Sequence, residues 1–383
     1  MSVLMQAPSG ITNVTAAASG TLYTPNSAGQ INAQNSDVPS LLSVGFSVVS
    51  GPASFLANFR NLIHGGDFST NPWQRNIAGL ASGGVISSPI ANTPTYFADR
   101  FFAVGGASSS ILMAQVADTS ILGFSQSLKI SRSSGNANTA AINFGQVLET
   151  SDSLRAQGQQ VTLSFWAKQG ANYSGGALAV AVISGAGTNQ SAANMVAATW
   201  TAQASSVSGS ATLSTAMTRY SFTGNLPANA TQLGVLLTWT PSGTAGADDS
   251  ITINGVQIEI GGQTAFEHRP AQVELGLAQR YAYVIAEPAL GVVVGGGMNT
   301  GASAQAIALP TPEQMVKAPA VSIAAGSFKT NQAGTATATT ISAGSTHTPN
   351  MLTVNGNSAG TAGQGTLLQG GGGSGYIVAS SDF

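Results

Sequence analysis

Residues 160–168 read QVTLSFWAK, and their alternation decides the fold. Val161, Leu163, Phe165 and Ala167 fall on one side of an extended chain, and Thr162, Ser164 and Trp166 on the other. Successive side chains of a strand point to opposite faces, so this period of two marks a strand with one face on a core. The β-branched and aromatic residues among them suit a pleated, half-buried surface. Phe165 and Trp166 are neighbours in sequence and point to opposite faces, so one of the two belongs in the core.

The same alternation recurs outward in SLKISRS (127–133), ALAVAVIS (177–184), TRYSFTGN (218–225), QLGVLLTWT (232–240) and ITINGVQIEI (251–260). Turn formers such as Ser133-Ser134-Gly135-Asn136 and Pro241-Ser242-Gly243 separate the runs. Many short strands without a long amphipathic helix predict an antiparallel β-sandwich over residues 59–270.

Smaller modules flank it. In residues 1–58, GITNVTAAASGTLYTPNSAGQINAQ alternates short β-type runs with turns at Thr24-Pro25-Asn26 and Ala28-Gly29, which predicts a hairpin. Asp37 is placed to cap a helix over VPSLLSVGF, with Pro39 early in it, Gly45 stopping it, and Leu41, Leu42 and Phe46 facing the hairpin. A module of this size buries little core and gains stability from a partner. After the sandwich, residues 271–287 read as a helical connector, with Val273, Leu277, Tyr281 and Val284 on one face. Residues 288–383 are rich in Gly, Ala, Ser and Thr, yet AQAIALP, PAVSIAA, ATATTIS, MLTVNG, GTLLQG and GYIVASS keep strand alternation. They predict a smaller C-terminal β-domain, with Gly370 to Gly373 as a flexible turn before the last strand. The fold class is thus mainly β in three parts.

Composition narrows the function. Aliphatic and aromatic residues make up 43% of the 383, enough for real cores. Charged residues make up 7%, against about 25% in ordinary soluble domains. A surface this poor in charge resists neighbours weakly and suits a subunit packed in an assembly. Twelve basic and 14 acidic residues give a formal charge of −2 with no basic run, which argues against nucleic-acid binding. The absence of cysteine excludes disulfides, thiolate nucleophiles and Cys-based zinc sites. The opening MSVLMQAPSG lacks the features of a signal peptide, and no apolar run is long enough for a membrane helix. No export signal or membrane insertion is expected.

Four stretches, in order, carry a resemblance. They are NLIHGGDFSTNPWQR (61–75), TYFADRFF (95–102), LSFWAK (163–168) and GVQIEIGGQTAFEHRPAQVELGLAQRYAY (255–283). Together they resemble the jelly-roll, carbohydrate-binding-like modules of tailed-phage fibre and other virion proteins. The strand around Ala318-Pro319-Ala320-Val321 and the terminal YIVASSDF resemble the tails of such proteins, and LYTPNSAG (22–29) with LLSVGF (41–46) resembles short phage proteins. The resemblance implies a structural component of a virion, a fibre or decoration on head, collar or tail. Residues 1–58 would dock on other virion proteins, and the projecting part would be a homo-oligomer, a trimer by analogy. It would reach the outside by host lysis and could bind host surface glycans. A passive cementing protein and a glycan-degrading tailspike are the alternatives. Where related secreted modules place a calcium-binding Asp, this chain reads Gly255-Val256-Gln257.

Neither a catalytic residue, a metal ligand set nor a cofactor is predicted. His64, His268 and His347 stand in no metal spacing, and no G-x-S-x-G elbow occurs. Asp67, Trp73, Arg75, Asp99, Arg100, Trp166, Glu267 and Arg269 belong to the resembling stretches. In a nearly charge-free chain their charged members are expected to be paired and structural. Trp200 and Trp239, near turn-rich segments, and Tyr173 are the candidates for stacking a sugar ring, whose C–H face suits an aromatic face.

Overall fold

Val161, Leu163, Phe165 and Ala167 are fully buried in the computed structural model, on the strand Gln160–Gln169. The structure describes all residues except 1, 9, 35, 45, 51–58, 78–84, 88–92, 107–108, 302–303, 325–327, 333–334, 339–340, 345, 358–359 and 383. Gly45, expected to stop the first helix, lies outside the described residues.

Two six-stranded antiparallel sheets form the central sandwich. One runs in the order Thr218–Asn225, Gln160–Gln169, Ser250–Ile260, Gln126–Arg132, Ser110–Ala117 and Val85–Ser87. The other runs Ala204–Ala211, Leu178–Gly185, Gln232–Trp239, Ile142–Val147, Phe102–Val104 and Thr95–Tyr96. Their facing sides share one core containing Leu128, Ile130, Phe144, Leu163, Phe165, Val235, Leu237 and Trp239. Burying a side chain such as Phe165 is worth about 1.5–3 kcal/mol. The strands Ile142–Val147 and Ala204–Ala211 were not legible beforehand, because INFGQV and ASSVSGSA hold few β-branched residues.

Strand Ser250–Ile260 shows how register survives an irregularity. Ile251 and Ile253 face inward, and so do Val256 and Ile258, so the inward parity changes between them. Pairing with Gln160–Gln169 shifts register there, between Ser164 and Trp166. Gly255, at φ +56°, occupies the inserted position, and the Trp166 ring lies 2.5 Å from where a Cβ would stand. A β-bulge adds one residue to one strand and so returns the next residues to the correct face.

The connector differs from its expectation. Ala271–Gln279 is a helix, but Ala282–Ala286 is a strand paired with Tyr376–Ser380, so the C-terminal domain begins within the segment read as a connector. Tyr281 is buried where helix gives way to strand, and a common helical face with Val284 therefore does not exist. Tyr376–Ser380 also pairs with Ala320–Ala324. A seven-stranded sheet completes this domain in the order Thr335–Ala338, Lys329–Gln332, Gly365–Gln369, Val293–Gly301, Ala304–Pro310, Met351–Gly356 and Ile341–Ala343. Its core gathers Ile307, Leu309, Phe328, Leu352, Val354, Leu368 and Ile377. The glycine turn is held rather than free: Glu287 accepts hydrogen bonds from the N–H groups of Gly371, Gly373 and Gly375 at 2.9–3.0 Å.

In the N-terminal module Val14–Thr15 pairs with Leu22–Tyr23 in the expected hairpin. Ser2–Gln6 joins Gln30–Gln34 and Ser47–Ser50 in a three-stranded sheet. Helix Val38–Ser43 follows Asp37, whose carbonyl accepts from Leu41 N. The Asp37 carboxylate accepts instead from Ser19 Oγ at 2.6 Å and Tyr23 OH at 2.7 Å, which ties hairpin to helix. Leu41 and Phe46 pack with Met5, Tyr23 and Ile31.

Candidate functional site

The first and last of the four stretches meet in space. Glu267 accepts from the main-chain N–H of Arg60 and Asn61, and Arg269 donates to the carbonyls of Asn61 and Ile63 and to Glu274. Asn61 Nδ2 donates to Val256 O, and Leu62 N to Ile258 O, so the first segment lies along the last strand. Gly66 O accepts from Val256 N, and a Cβ at Gly66 would stand 2.1 Å from Val256 O; only glycine allows that approach. Asp67 Oδ2 lies 2.8 Å from His268 Nδ1, and Asp67 Oδ1 accepts from Ser69 N. The two ends of the domain close on each other through these contacts.

The other motif charges join the sandwich to the C-terminal domain. Arg75 and Arg100 both pair with the carboxylate of Asp382, on the residues that follow the last strand. Arg75 also donates to Asp99 O at 2.8 Å and to Asp99 Oδ1 through its main-chain N–H. Arg100 is 2% exposed and its guanidinium lies over the Tyr281 ring. Glu149 takes a forked pair of bonds from Arg280 and a third from Tyr281 OH. Burial pushes Glu149 up, but the bonds from Arg280 and Tyr281 outweigh it and hold the carboxylate below its usual range. Asp99 and Arg100 are thus both buried, and each pairs with other residues and not with its neighbour. Trp73 is buried against Phe97 and donates from Nε1 to Phe68 O.

Two of the three aromatic candidates for sugar stacking are buried. Trp200 is 3% exposed and Trp239 0%, which corrects the expectation of exposed rings. Each indole N–H donates 2.8 Å to a main-chain carbonyl, of Ser191 and Ser174 respectively. Turn-rich surroundings do not imply exposure here, because the turns fold over the rings and satisfy their polar edge. Tyr173 is half-buried and stacks on Trp239 at 5.3 Å, with its hydroxyl donating to Gly176 O. Trp166 lies on the outer face of its strand, half-buried, flanked by Phe124 and Phe266 and covered by Arg219 at 4.4 Å. Trp200 and Trp239 thus offer no open face, whereas Trp166 and Tyr173 stay half-buried.

An open cleft of about 390 Å³ lies on that same outer face and holds residues the sequence reading missed. Its polar walls are two ion pairs: Lys129 Nζ to Asp248 Oδ1 at 2.8 Å, and Lys168 Nζ to Asp118 Oδ2 at 2.7 Å. Lys168 is next on the polar face after Trp166, and Lys129 occupies the outward position between Leu128 and Ile130. The available signal was scarcity: the chain has four lysines, and two stand inside strands that line this cleft. Both lysine side chains are about one-third exposed, at 34% and 30%. Asp248 also accepts from Ser250 Oγ and Ala171 N, and the bonds from Lys129 and Ser250 depress it to about 2. Burial raises Asp118, but hydrogen bonds from Lys168 and Ser120 outweigh it and keep it below its usual range. Both acids stay ionised at neutral pH, so neither can serve there as a general acid. The cleft alternates ammonium donors with carboxylate acceptors in partial contact with water, a pattern that matches a polyhydroxyl ligand. Among the described residues no three His, Asp or Glu side chains converge to hold a metal, and no helix is long and apolar enough to cross a membrane.

No protein-family model and no curated protein matches the chain. Among solved structures, the enzymatically active domain of tailspike protein 4 from bacteriophage CBA120 aligns at 16% identity and a TM-score of 0.32, over 53% of this chain and 22% of that one. The chain thus spans about a fifth of the tailspike's length. TmCBM61, solved with β-1,4-galactotriose, aligns at 11% identity and a TM-score of 0.30 over 53% of this chain and 99% of its own. A xylan-binding CBM22-1 domain of Paenibacillus barcinonensis Xyn10C aligns at 15% identity and 0.28, over 48% and 98%. These likenesses are distant in sequence and in shape.

Proposed function

We propose that the chain is a non-enzymatic structural component of a tailed-phage particle, a fibre or decoration on head, collar or tail, whose sandwich holds host surface glycans in the Lys129–Lys168 cleft. The observation that carries the reading is the order of the four stretches between residues 61 and 283, which resembles that of phage virion modules. The 7% charge supports it, because a subunit held among neighbours needs little surface charge. In this reading residues 1–58 dock on other virion proteins, and the rest projects as a homo-oligomer, a trimer by resemblance. The chain needs no cofactor, leaves its host by lysis, and binds neither nucleic acid nor membrane. Weak contacts per cleft add up through copy number. The ionised acids of the cleft support binding over hydrolysis.

Immunogold labelling or cryo-electron microscopy of purified particles tests the location, and absence of the chain from them sinks the proposal. Binding of the purified chain to host cells tests adhesion. A Lys168→Ala variant should lose that binding and about 1–3 kcal/mol of stability, because it leaves the buried Asp118 carboxylate without its ammonium donor; the fold should be retained. Particles that carry the chain without any cell binding would instead establish the passive cementing role.

A further inference from the structure

A second cavity, of about 410 Å³, opens on the flank of the sandwich. It lies between the segment at residues 59–64, the turn at 149–155 and the helix Ala271–Gln279. That volume falls in the size class of small-ligand pockets, about 300–1,000 Å³. Its walls are unlike those of the Lys–Asp cleft, where each cation has an acid in contact.

Arg155 stands exposed at the rim, and among the described residues it is the one arginine that donates no hydrogen bond and joins no ion pair. The other seven are all engaged, as Arg75 and Arg100 are with Asp382. Three residues earlier in the chain, the Asp152 side chain is 36% exposed and lies 3.6 Å from His64 Nε2. His64 is buried, and burial, followed by the charges of Arg100, Arg269, Arg155 and Arg280, pushes its pKa well below the usual histidine value. It is therefore a neutral ring at pH 7, and with Arg100, Arg269 and Arg280 each paired to a carboxylate, Arg155 is the cation of this pocket that is left for a ligand. The His64 Nδ1 is buried without a hydrogen-bond partner. Phe59, Leu62 and Leu277 form an apolar wall. Phe59 is 46% exposed, and its ring is braced by the Arg269 guanidinium at 5.3 Å.

We propose that this pocket binds a carboxylate-bearing sugar, a uronate-type unit of an acidic glycan. Arg155 forks onto the sugar carboxylate, Asp152 accepts from ring hydroxyls, and the C–H face of the ring packs on Phe59. A planar guanidinium matches a carboxylate through two parallel hydrogen bonds, and an aromatic wall takes the apolar side of a pyranose. A neutral hexose would leave Arg155 unmatched, which sets the selectivity. The site is separate from the Lys129–Lys168 cleft and stands whether or not that cleft binds glycans.

Titration of the full chain with glucuronate, glucose and acetate, followed by calorimetry or amide chemical shifts, tests it. Glucuronate should bind in the millimolar range, and glucose about tenfold more weakly or worse. Arg155→Ala should weaken glucuronate about tenfold, Phe59→Ala should weaken it as well, and Arg155→Lys should retain part of the affinity. Equal affinity for glucose and glucuronate, an unaffected Arg155→Ala, or acetate matching glucuronate would each overturn the proposal. Because Arg155 is exposed, its variants should keep the parent melting curve, so a lost isotherm reports binding and not unfolding.

Discussion

The sandwich and the C-terminal β-domain are both built on the same alternation, yet they treat polarity in opposite ways. Inside the sandwich, buried ion pairs such as Arg132–Asp249 and Arg269–Glu274 fasten strands and loops. After residue 287 the chain carries four charged side chains, Glu313, Lys317, Lys329 and Asp382. There Leu290, Val292, Val293, Met298, Met351 and Leu367 are left exposed. The sandwich is closed by charge, whereas the C-terminal domain is closed by main-chain pairing around a small apolar core. What joins them is again charge: Asp382 in the grip of Arg75 and Arg100, and Glu149 in that of Arg280 and Tyr281. Scarce charges in this chain therefore mark joints, and Arg155, which pairs with none of the described residues, marks an opening.

The strongest way to break that contrast is Arg100→Met. It leaves Asp382 buried with Arg75 alone, and breaking a buried pair costs about 3–5 kcal/mol. Calorimetry should show the parent's unfolding split, with the C-terminal domain melting first. A single unshifted transition would mean that main-chain pairing alone holds the two domains together.

Glu287→Ala tests a carboxylate that organises a turn of the C-terminal domain. Hydrogen bonds to a charged group are worth about 1.5–3 kcal/mol, and a loss in that range is expected. Amide exchange should speed up at Gly371, Gly373 and Gly375. Unchanged protection there would show that the glycine turn needs no anchor.

Trp239→Phe sharpens the account of the sandwich. It keeps most of the buried ring but removes the donor to Ser174 O, at a cost of about 1–2 kcal/mol. Cell or sugar binding should be untouched, and a binding loss without a stability loss would return Trp239 to the ligand-binding candidates.

The smallest effect is expected of Asp99→Asn. Burial raises Asp99 to about 6, opposed by Arg75. A carboxyl whose folded pKa lies above its unfolded value binds protons more readily when folded, so its contribution to stability falls as pH rises from about 4 to 6 and stays unfavourable above that. Asparagine keeps the acceptor for Arg75 N and tolerates the φ of +31° at this position. Denaturant melts at pH 7.5 should show a variant as stable as the parent or about 1 kcal/mol more stable, with a flatter profile between pH 4 and 6. A clear loss at pH 7.5 would mean that the Arg75 attraction outweighs burial.

Much of the fold could be read from local pattern. TRYSFTGN became the strand Thr218–Asn225 without a residue's difference, because alternation and strand formers coincide there. Val293–Gly301 was missed, since VVGGGMNTG carries little side-chain pattern and is a strand by virtue of its neighbours Ala304–Pro310 and Gly365–Gln369. The site was less legible. Lys129 and Lys168 lie in runs already read as strands, but their meeting depends on which strands share a sheet, and their acids Asp248 and Asp118 come from distant turns.

For the strand QVTLSFWAK, the sequence by itself determined which side chains enter the core, because a period of two and the hydrophobic effect act within a few residues. It also determined that one of Phe165 and Trp166 would be outside. Only the tertiary structure decided what that outside is. Thr162 and Ser164 are buried there too, by the chain that follows Ile260, while Lys168 opens onto the cleft. Exposure of a tryptophan, partner of a charge and position of a cleft are long-range quantities, set by segments a hundred residues apart in sequence, and no local pattern records them.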